Sequence, residues 1–416
     1  MEIILQSSPY KRLWKILCLL LVLAYIGIAV RDYVAYRFAT SDQPYALEKA
    51  IALDPANAGY RNRLGYYFMF SEQRPDLAIS QYKSAVTLNP HIAGYWLDLA
   101  SAYASTGASE QQERALERAL EVDPNTPQVS REVANAFLIR GDLQKALRMF
   151  RVLLQTDPLE MEPSLQICWQ VTHNIETMND ILPPIPDVYL AFLKILTGEG
   201  DTVAAENIWP QLVGLQQPFD PQLAKPYFEY LIAQHDVDAA HAAWNDLARI
   251  DVGFRPYLAS TANLVVNGGF EEKPLNMGFD WRYEVHPRVT LALDAEQSHE
   301  GKRSLSITYD GEKVVDSGLS QFIAVDRNTS YDFSAYVKTD DIFAAHGPQF
   351  VISDAYTKSP LLLTEEVLGT INWRHVSGSF KTGPSTDLVV LKIVRAPDAG
   401  RITGRLWIDD VVLARE

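Results

Sequence analysis

Cysteine is nearly absent from this chain, which has two, Cys18 and Cys168, in 416 residues. Cys18 lies in the most apolar stretch and Cys168 follows 150 residues later, so their positions do not indicate a bridge. The fold must therefore stand without disulfides. A chain of this size can do so in an oxidising compartment too, because it buries a large apolar surface.

The sequence also lacks the short motifs of the common catalytic sites: it has no H-E-x-x-H, no G-x-S-x-G and no glycine-rich phosphate loop. Its eight histidines show no metal-ligand spacing; His235 and His241, for example, would point to different sides of a helix. Adjacent carboxylates such as Glu271 and Glu272 face opposite ways on a strand. We therefore expect a non-catalytic protein, with a glycan-acting hydrolase built from carboxylates on distant strands as the remaining enzymatic alternative.

Positive charge is scarce, since 37 Lys and Arg face 52 Asp and Glu, for a net charge of −15. The first forty residues carry +3, which leaves −18 on the rest. So acidic a surface repels phosphate backbones, because nucleic-acid affinity depends on cations that displace counterions. Nucleic acid is therefore not an expected partner.

One long apolar run is present, from Leu13 to Val30, with Lys15 as its single charge near the start. Eighteen residues are just enough to span a bilayer. Lys11 and Arg12 precede the run, which favours a cytoplasmic N-terminus. We predict a cytoplasmic segment at 1–12, a transmembrane signal anchor at 13–30, and a single-pass inner-membrane protein whose bulk is periplasmic or otherwise extracytoplasmic.

Two alternatives for this run remain. A cleaved signal peptide is compatible with the small residues around Gly27 to Ala29, although its apolar core is usually shorter. A buried core helix is disfavoured because the run is apolar on every face. Either a retained or a cleaved leader would export everything after residue 40.

A repeat follows the leader, marked by four acidic or amide residues that precede proline: Asp54-Pro55, Asn89-Pro90, Asp123-Pro124 and Asp157-Pro158. The prolines are 35, 34 and 34 residues apart. Small residues and aromatics recur in step between them, as at Gly65 and Phe68, then Ala100 and Tyr103. A period of this length indicates stacked helical hairpins.

The repeat resembles the tetratricopeptide family, because Trp96-x2-Leu99-Ala100-x2-Tyr103 reproduces its W-x2-L-G-x2-Y signature with Ala in place of Gly. Weaker register continues beyond Pro158, and we assign 31–255 to an all-α array of five or six helical pairs. The resemblance implies a concave groove that receives a protein partner. Most of the array's aromatics are expected to be packing residues.

The periodicity then changes from helical to alternating, and short β-rich runs separated by turn residues take over. We predict an antiparallel all-β sandwich over 262–416. The candidate strands are Ser304 to Tyr309, Leu319 to Val325, Tyr331 to Lys338, Gln349 to Asp354, Trp373 to Lys381, Leu388 to Val394 and Arg405 to Ala414.

This region resembles the carbohydrate-binding jelly rolls of the galactose-binding-like type that accompany glycosidases. The resemblance rests on NLVVNGGFE at 263–271, on LWIDDV at 406–411, and on motifs in the same order between them. It implies a structural Ca²⁺ held by Glu271 and Asp409, with backbone carbonyl oxygen near Lys302 as the third source. Oxygen ligands suit this ion, although a jelly roll can also close without a metal.

Sugar recognition in such modules relies on aromatic faces that stack on pyranose rings. Tyr283, Tyr309 and Trp407 are the carbohydrate-contact candidates. Trp281 and Trp373 match positions that usually pack the core.

The whole chain is therefore expected to be a membrane-anchored, non-catalytic envelope scaffold. Its array would bind a protein and its jelly roll a polysaccharide, in the assembly or export of a surface glycan. The main alternative is a protein-only assembly factor whose sandwich does not bind sugar.

Overall fold

The computed structural model describes residues 9–41, 43–397 and 400–416. Residues 1–8, in the segment expected to be cytoplasmic, lie outside the described residues. The chain divides into two compact units, one up to Pro183 and one from Pro184 to Glu416. The fold comprises helices followed by two antiparallel sheets, as the sequence predicts.

The first helix, α1 (Pro9–Ala39), contains the apolar run and continues beyond its predicted end. Within the stretch Leu13–Ala39, an 18-residue window has a mean hydropathy of 2.5 and is not buried by other parts of the protein, whereas Ala35 and Ala39 near the end of α1 are buried. By length and composition this helix could cross a membrane, and a signal sequence would have the same properties.

The first unit continues with paired helices of the repeat. They are α2 (Pro44–Leu53), α3 (Ala58–Phe70), α4 (Pro75–Leu88), α5 (Ala93–Ser105), α6 (Ser109–Val122), α7 (Pro127–Arg140), α8 (Leu143–Thr156), α9 (Met161–Thr172) and α10 (Ile175–Ile181). The helices α2, α4, α6 and α8 each end directly before a marker Asp or Asn, because the following proline cannot continue the hydrogen-bond ladder.

Close helix contact explains the small residues of the repeat. A Cβ atom on Gly65 would lie 2.7 Å from the Tyr82 ring, and both residues are buried. Ala100 and Ala134, at the equivalent positions in the next repeats, are also buried. The small-with-aromatic pattern therefore sets the helix spacing.

The second unit begins with two further pairs: α11 (Pro186–Glu199) with α12 (Thr202–Gly214), and α13 (Lys225–Ala233) with α14 (Val237–Ile250). Trp209 and Trp244, which stand 35 residues apart in the sequence, are both buried. Trp209 stacks on Tyr227 with ring centroids 4.9 Å apart.

Two five-stranded antiparallel sheets follow in the same unit. Their strands are β1 (Arg282–Tyr283), β2 (Val289–Asp294), β3 (Ser304–Lys313), β4 (Asp316–Ala324), β5 (Ser330–Ala344), β6 (Gln349–Asp354), β7 (Pro360–Leu363), β8 (Gly369–Lys381), β9 (Leu388–Val394) and β10 (Arg401–Arg415). Sheet A has the order β1-β4-β9-β6-β7, and sheet B has the order β2-β3-β10-β5-β8. Each predicted strand coincides with an observed one to within four residues at its ends, except that β5 continues six residues beyond Lys338. The strands β1, β2 and β7 were not predicted.

The core of the sandwich lies between the two sheets. Phe270 stacks on Trp281 with ring centroids 4.9 Å apart, and both rings are buried. The indole N–H of Trp281 donates to the Asn267 carbonyl at 3.0 Å, so this buried polar group is satisfied.

Helices of the second unit cover part of the outer face of sheet A. On β9, Leu388 and Val390 alternate with the inward-facing Val389 and Leu391, yet all four are buried. A strand that is apolar on both faces needs cover on both. Val237 and His241 of α14 line a crevice with residues of β4, which places the helix on this face.

Polar contacts fix the same interface. Arg282 of β1 donates to Glu229 of α13 at 2.6 Å, and its guanidinium lies 4.9 Å from the centre of the Phe322 ring. The Tyr356 hydroxyl donates to the Ile232 carbonyl at 3.0 Å. The last helical pair and the sandwich thus pack as one compact unit.

One close approach at this interface is at Gly278, in the loop before β1. Its φ is +52°, and a Cβ atom there would lie 2.3 Å from the Trp244 ring. Both the backbone conformation and the space therefore require glycine.

We expect Gly278→Ala to lower the free energy of unfolding of the protein by about 1–3 kcal/mol, because the new methyl group would displace Trp244. Gly198→Ala is the matched control. Gly198 lies within α11 with nothing near its missing Cβ atom, so the substitution should stabilise slightly. Chemical denaturation followed by tryptophan fluorescence measures both, and equal stability of the two variants would contradict this packing.

Candidate functional site

The first and last segments of the sandwich lie side by side. Leu264 N–H donates to the Leu413 carbonyl at 2.8 Å, and the Asn263 side chain bonds both Val411 and Leu413. This pairing brings the loop that carries Glu271 to the end of β10 that carries Asp409.

Glu271 holds the loop that precedes β3. Its Oε1 accepts hydrogen bonds from the backbone N–H groups of Lys302 at 2.6 Å and Arg303 at 3.2 Å. A Cβ atom on Gly301 would lie 2.2 Å from the same oxygen, and Gly301 has a φ of +63°. The carboxylate can therefore reach the loop only because residue 301 is glycine.

Asp409 approaches the same loop from β10. Its Oδ2 accepts from His299 N–H at 2.7 Å and from Glu300 N–H at 3.3 Å, and Oδ1 accepts from Asp410 N–H. The residue is 0% exposed, and burial raises the pKa of its carboxyl to about 6. Two of the predicted metal-ligating residues, together with Lys302, thus meet at one loop.

The two carboxylates of this junction supply oxygen atoms of the kind that calcium takes as ligands. A cation beside Asp409 would offset the penalty that burial places on its charge. In the structure the loop faces both carboxylates with N–H groups. Across the described residues, the carboxylates, histidines and cysteines form no cluster of three or more with metal-binding geometry.

The three carbohydrate-contact candidates lie in different environments. Tyr309 is 4% exposed in the core of the sandwich, so its ring has no face to offer a sugar. Trp407 is 6% exposed between the cationic groups of Lys338 and Arg405, and its indole N–H donates to Asp294. Tyr283 is 37% exposed and lines an apolar cleft of about 370 Å³ beside Leu291, Leu293 and Leu319.

A ring cluster that the sequence analysis did not predict lies on the outer face of sheet B, and it includes Trp373, which was expected at a core position but is only partly buried. His299 stacks on Tyr336 with centroids 3.5 Å apart, and Trp373 and His375 stand beside them. Tyr336 and His375 are direct cross-strand partners on β5 and β8. Successive side chains of a strand point to opposite faces, so the alternation in the sequences of β5 and β8 could have predicted that these residues lie on the outer face.

A second buried carboxyl, Asp280, lies in the loop before β1. Its Oδ2 accepts from Leu275 N–H at 2.6 Å, and its Oδ1 has no hydrogen-bond partner. Burial raises the pKa of Asp280 to about 7, so the group changes charge near neutral pH.

Comparisons with known proteins confirm the two resemblances. Residues 262–400 match the family model described as a carbohydrate binding domain, and residues 97–160 match that of a tetratricopeptide repeat. The chain therefore carries a repeat of the type that holds proteins and a domain of the type that binds carbohydrate. No curated protein matches it.

Solved structures similar to parts of this chain include that of CBM4. It is 16% identical over 36% of this chain and 99% of that chain, with a TM-score of 0.28. MamA is 17% identical over 42% of this chain and 86% of that chain, with a TM-score of 0.26. PilF of Pseudomonas aeruginosa is 16% identical over 54% of this chain and 94% of that chain, with a TM-score of 0.27.

We expect Asp280→Asn to change how stability depends on pH. The carboxyl pKa is about 7 in the folded protein and near 3.8 when unfolded, so the wild-type free energy of unfolding should fall as pH rises from about 4 to 7. The variant lacks this fall and should be more stable at pH 8 by roughly 2–4 kcal/mol. Urea denaturation across this range measures the difference. Asp332→Asn, at an exposed position, should leave the profile unchanged, and an Asp280→Asn variant less stable than wild type at pH 8 would refute the assignment.

Proposed function

We propose that this protein is a non-catalytic, membrane-anchored scaffold of the cell envelope, whose helical array binds a protein and whose jelly roll binds a polysaccharide. The observation that carries the proposal is the presence in one chain of a tetratricopeptide match and a carbohydrate-binding match. The apolar helix α1 would serve as the anchor, with the N-terminus cytoplasmic and the rest extracytoplasmic. Such a protein could couple the assembly or export of a surface glycan to a protein machine.

The outer face of sheet B is the proposed glycan surface. Sheet A is partly covered by α13 and α14, whereas sheet B presents Tyr336, Trp373 and His375 among polar side chains. Aromatic rings beside hydrogen-bonding groups match the mixed apolar and hydroxyl character of a sugar. The exposed Tyr283 lies on β1 at the edge of sheet A, away from this surface.

The junction of Glu271, Asp409 and the Lys302 loop is the proposed calcium site. The ion would bind through the two carboxylates and a loop carbonyl, and it would neutralise a buried negative charge. Its role would be structural, since it would tie the first and last segments of the sandwich to the loop before β3.

The protein-only assembly factor is the second candidate, and a specific observation favours it. The sandwich uses part of one outer face to cover the last helical pair. A jelly roll used in this way stabilises the end of the array even if it never contacts a glycan.

Affinity electrophoresis of the full-length protein in detergent, on gels that contain xylan, cellulose, galactan, mannan or alginate, tests the glycan surface. We expect retardation by at least one polymer and a loss of roughly tenfold in affinity in Trp373→Ala, because the stacking face is removed. Phe343→Ala removes an exposed ring at the C-terminal end of β5, seven residues beyond Tyr336 and outside the ring cluster, and should bind as wild type. Retardation by no polymer favours the protein-only candidate, and equal loss in both variants contradicts this location.

Thermal unfolding with 1 mM CaCl₂ or with EDTA tests the calcium site. We expect calcium to raise the Tm of the wild type by a few degrees, since an ion that binds only the folded state stabilises it. Glu271→Gln should abolish this rise, and Glu272→Gln, at the exposed neighbouring position, should keep it. A wild-type Tm that calcium leaves unchanged would show that backbone N–H groups alone hold these carboxylates.

A further inference from the structure

A groove runs between α5 and α7 in the first unit, with mainly apolar walls in one part and polar walls in the other. Two adjoining clefts of about 280 and 510 Å³ share Leu97 and Glu132 in their walls. Ala100 and Ala104 form part of one wall, and Ile139 is 89% exposed at the rim. Small and aliphatic side chains thus leave room for the side chains of another molecule.

Asp98 and Glu132 line this groove at corresponding places in successive repeats, and Asn62 of the preceding repeat contacts Asp98. Asn62 comes from α3, Asp98 from α5 and Glu132 from α7, at separations of 36 and 34 residues. The Asn62 amide donates to Asp98 Oδ2 at 2.8 Å, and the Gln128 amide donates to Glu132 Oε1 at 3.1 Å. We call this row the acceptor row.

The acceptor row has unused acceptor capacity and lacks a cation. Asn62 Oδ1 is buried without a hydrogen-bond partner. Burial raises the pKa of the half-buried Asp98, and the nearby charge of Glu132 raises it further, although the Asn62 hydrogen bond lowers it. In the part of the chain that the structure describes, no Lys or Arg forms an ion pair with Asp98 or Glu132. Within the described residues, the half-buried carboxylate of Asp98 is thus bonded by the Asn62 amide and the exposed carboxylate of Glu132 by the Gln128 amide, and neither is neutralised by a cation of this chain.

Two half-buried acids elsewhere in the same array do have cationic partners. Glu113 is paired with both Arg140 and Lys145, and Glu160 is paired with Arg131 at 2.5 Å. These ion pairs join one helical pair to the next. At the groove, a cation that pairs with Asp98 and Glu132 would come from another molecule.

We propose that this groove binds a basic segment of a partner protein, with a Lys or Arg side chain on Asp98 and Glu132 and an aliphatic neighbour against Leu97 and Ile139. The inference rests on the proposed protein-binding role of the array and names the chemistry of the partner. Guanidinium and ammonium groups carry several donors and no acceptor, which complements the acceptor row. The apolar walls match an aliphatic side chain and would contribute nothing to the binding of a bare metal ion.

Fluorescence anisotropy with the full-length protein in detergent tests the proposal. The probe is a fluorescein-labelled 12-residue peptide of alternating Lys and Leu, and the comparison peptides carry Gln or Glu in place of Lys. We expect the Lys peptide to bind best and the double variant Asp98→Asn, Glu132→Gln to weaken it at least tenfold. Both substitutions keep the shape of the side chains and leave Asn62 and Gln128 an oxygen to bond.

The protein is strongly acidic, so the control must remove the same charge elsewhere. Glu72→Gln together with Glu117→Gln does so at exposed positions of the first unit that take no hydrogen bond. This variant should change the affinity for the Lys peptide less than twofold. An equal loss in both double variants would show non-specific attraction and overturn the proposal.

The remaining outcomes separate this inference from the proposed function. Tighter binding of the Gln or Glu peptide would overturn the basic partner while the array stays a protein-binding surface. A heat of calcium binding that disappears in the Asp98→Asn, Glu132→Gln variant, without binding of any peptide, would overturn it in favour of a metal site. Glycan retardation reports on the sandwich independently of either result.

Discussion

Burial of the last helical pair against sheet A is the contact on which the second unit depends. A stack of helical hairpins always leaves an apolar face at its end, since each pair is covered only by its neighbours. Here Trp244 packs against Phe228, Phe254 and Phe279, the last of which belongs to the loop before β1. In return, α13 and α14 cover strands of sheet A that are apolar on both sides. The sandwich therefore acts as the end cap of the helices, and the helices complete the sandwich.

Because α13 and α14 cover part of sheet A, the outer face of sheet B is the face of the sandwich that remains available to a ligand. The outer face of sheet B carries the ring cluster around Tyr336, and the groove over α5 and α7 lies in the other compact unit. The two surfaces differ in chemistry, because one offers aromatic faces and the other offers carboxylates between aliphatic walls. A glycan and a basic polypeptide would thus be distinguished by the type of side chain that meets them.

The sequence predicts the larger features because each has a period or a punctuating residue. The Asp-Pro or Asn-Pro pairs, 34 or 35 residues apart, mark the helix ends, and alternation marks the strands. The meeting of Glu271, Asp409 and the Lys302 loop follows from the jelly-roll resemblance. The burial of an individual aromatic residue is not predictable in this way. Whether Tyr309 or Trp407 faces the core or the surface depends on the register of its strand, and the register is known only once the strands are paired. The sequence does indicate that sheet A is covered on both faces. Residues 388–391 are all apolar, whereas a strand with one exposed face would alternate between apolar and polar residues.

The fit of Gly278 under Trp244 has a consequence for the modular history of such chains. A domain that has its own complete core can be joined to other domains through a flexible linker. This one could not be transplanted alone, because it would carry away an uncovered apolar strip and leave a tryptophan in water. A recombination that kept both intact would have to move the two helical pairs and the sandwich together, from about Pro184 onward.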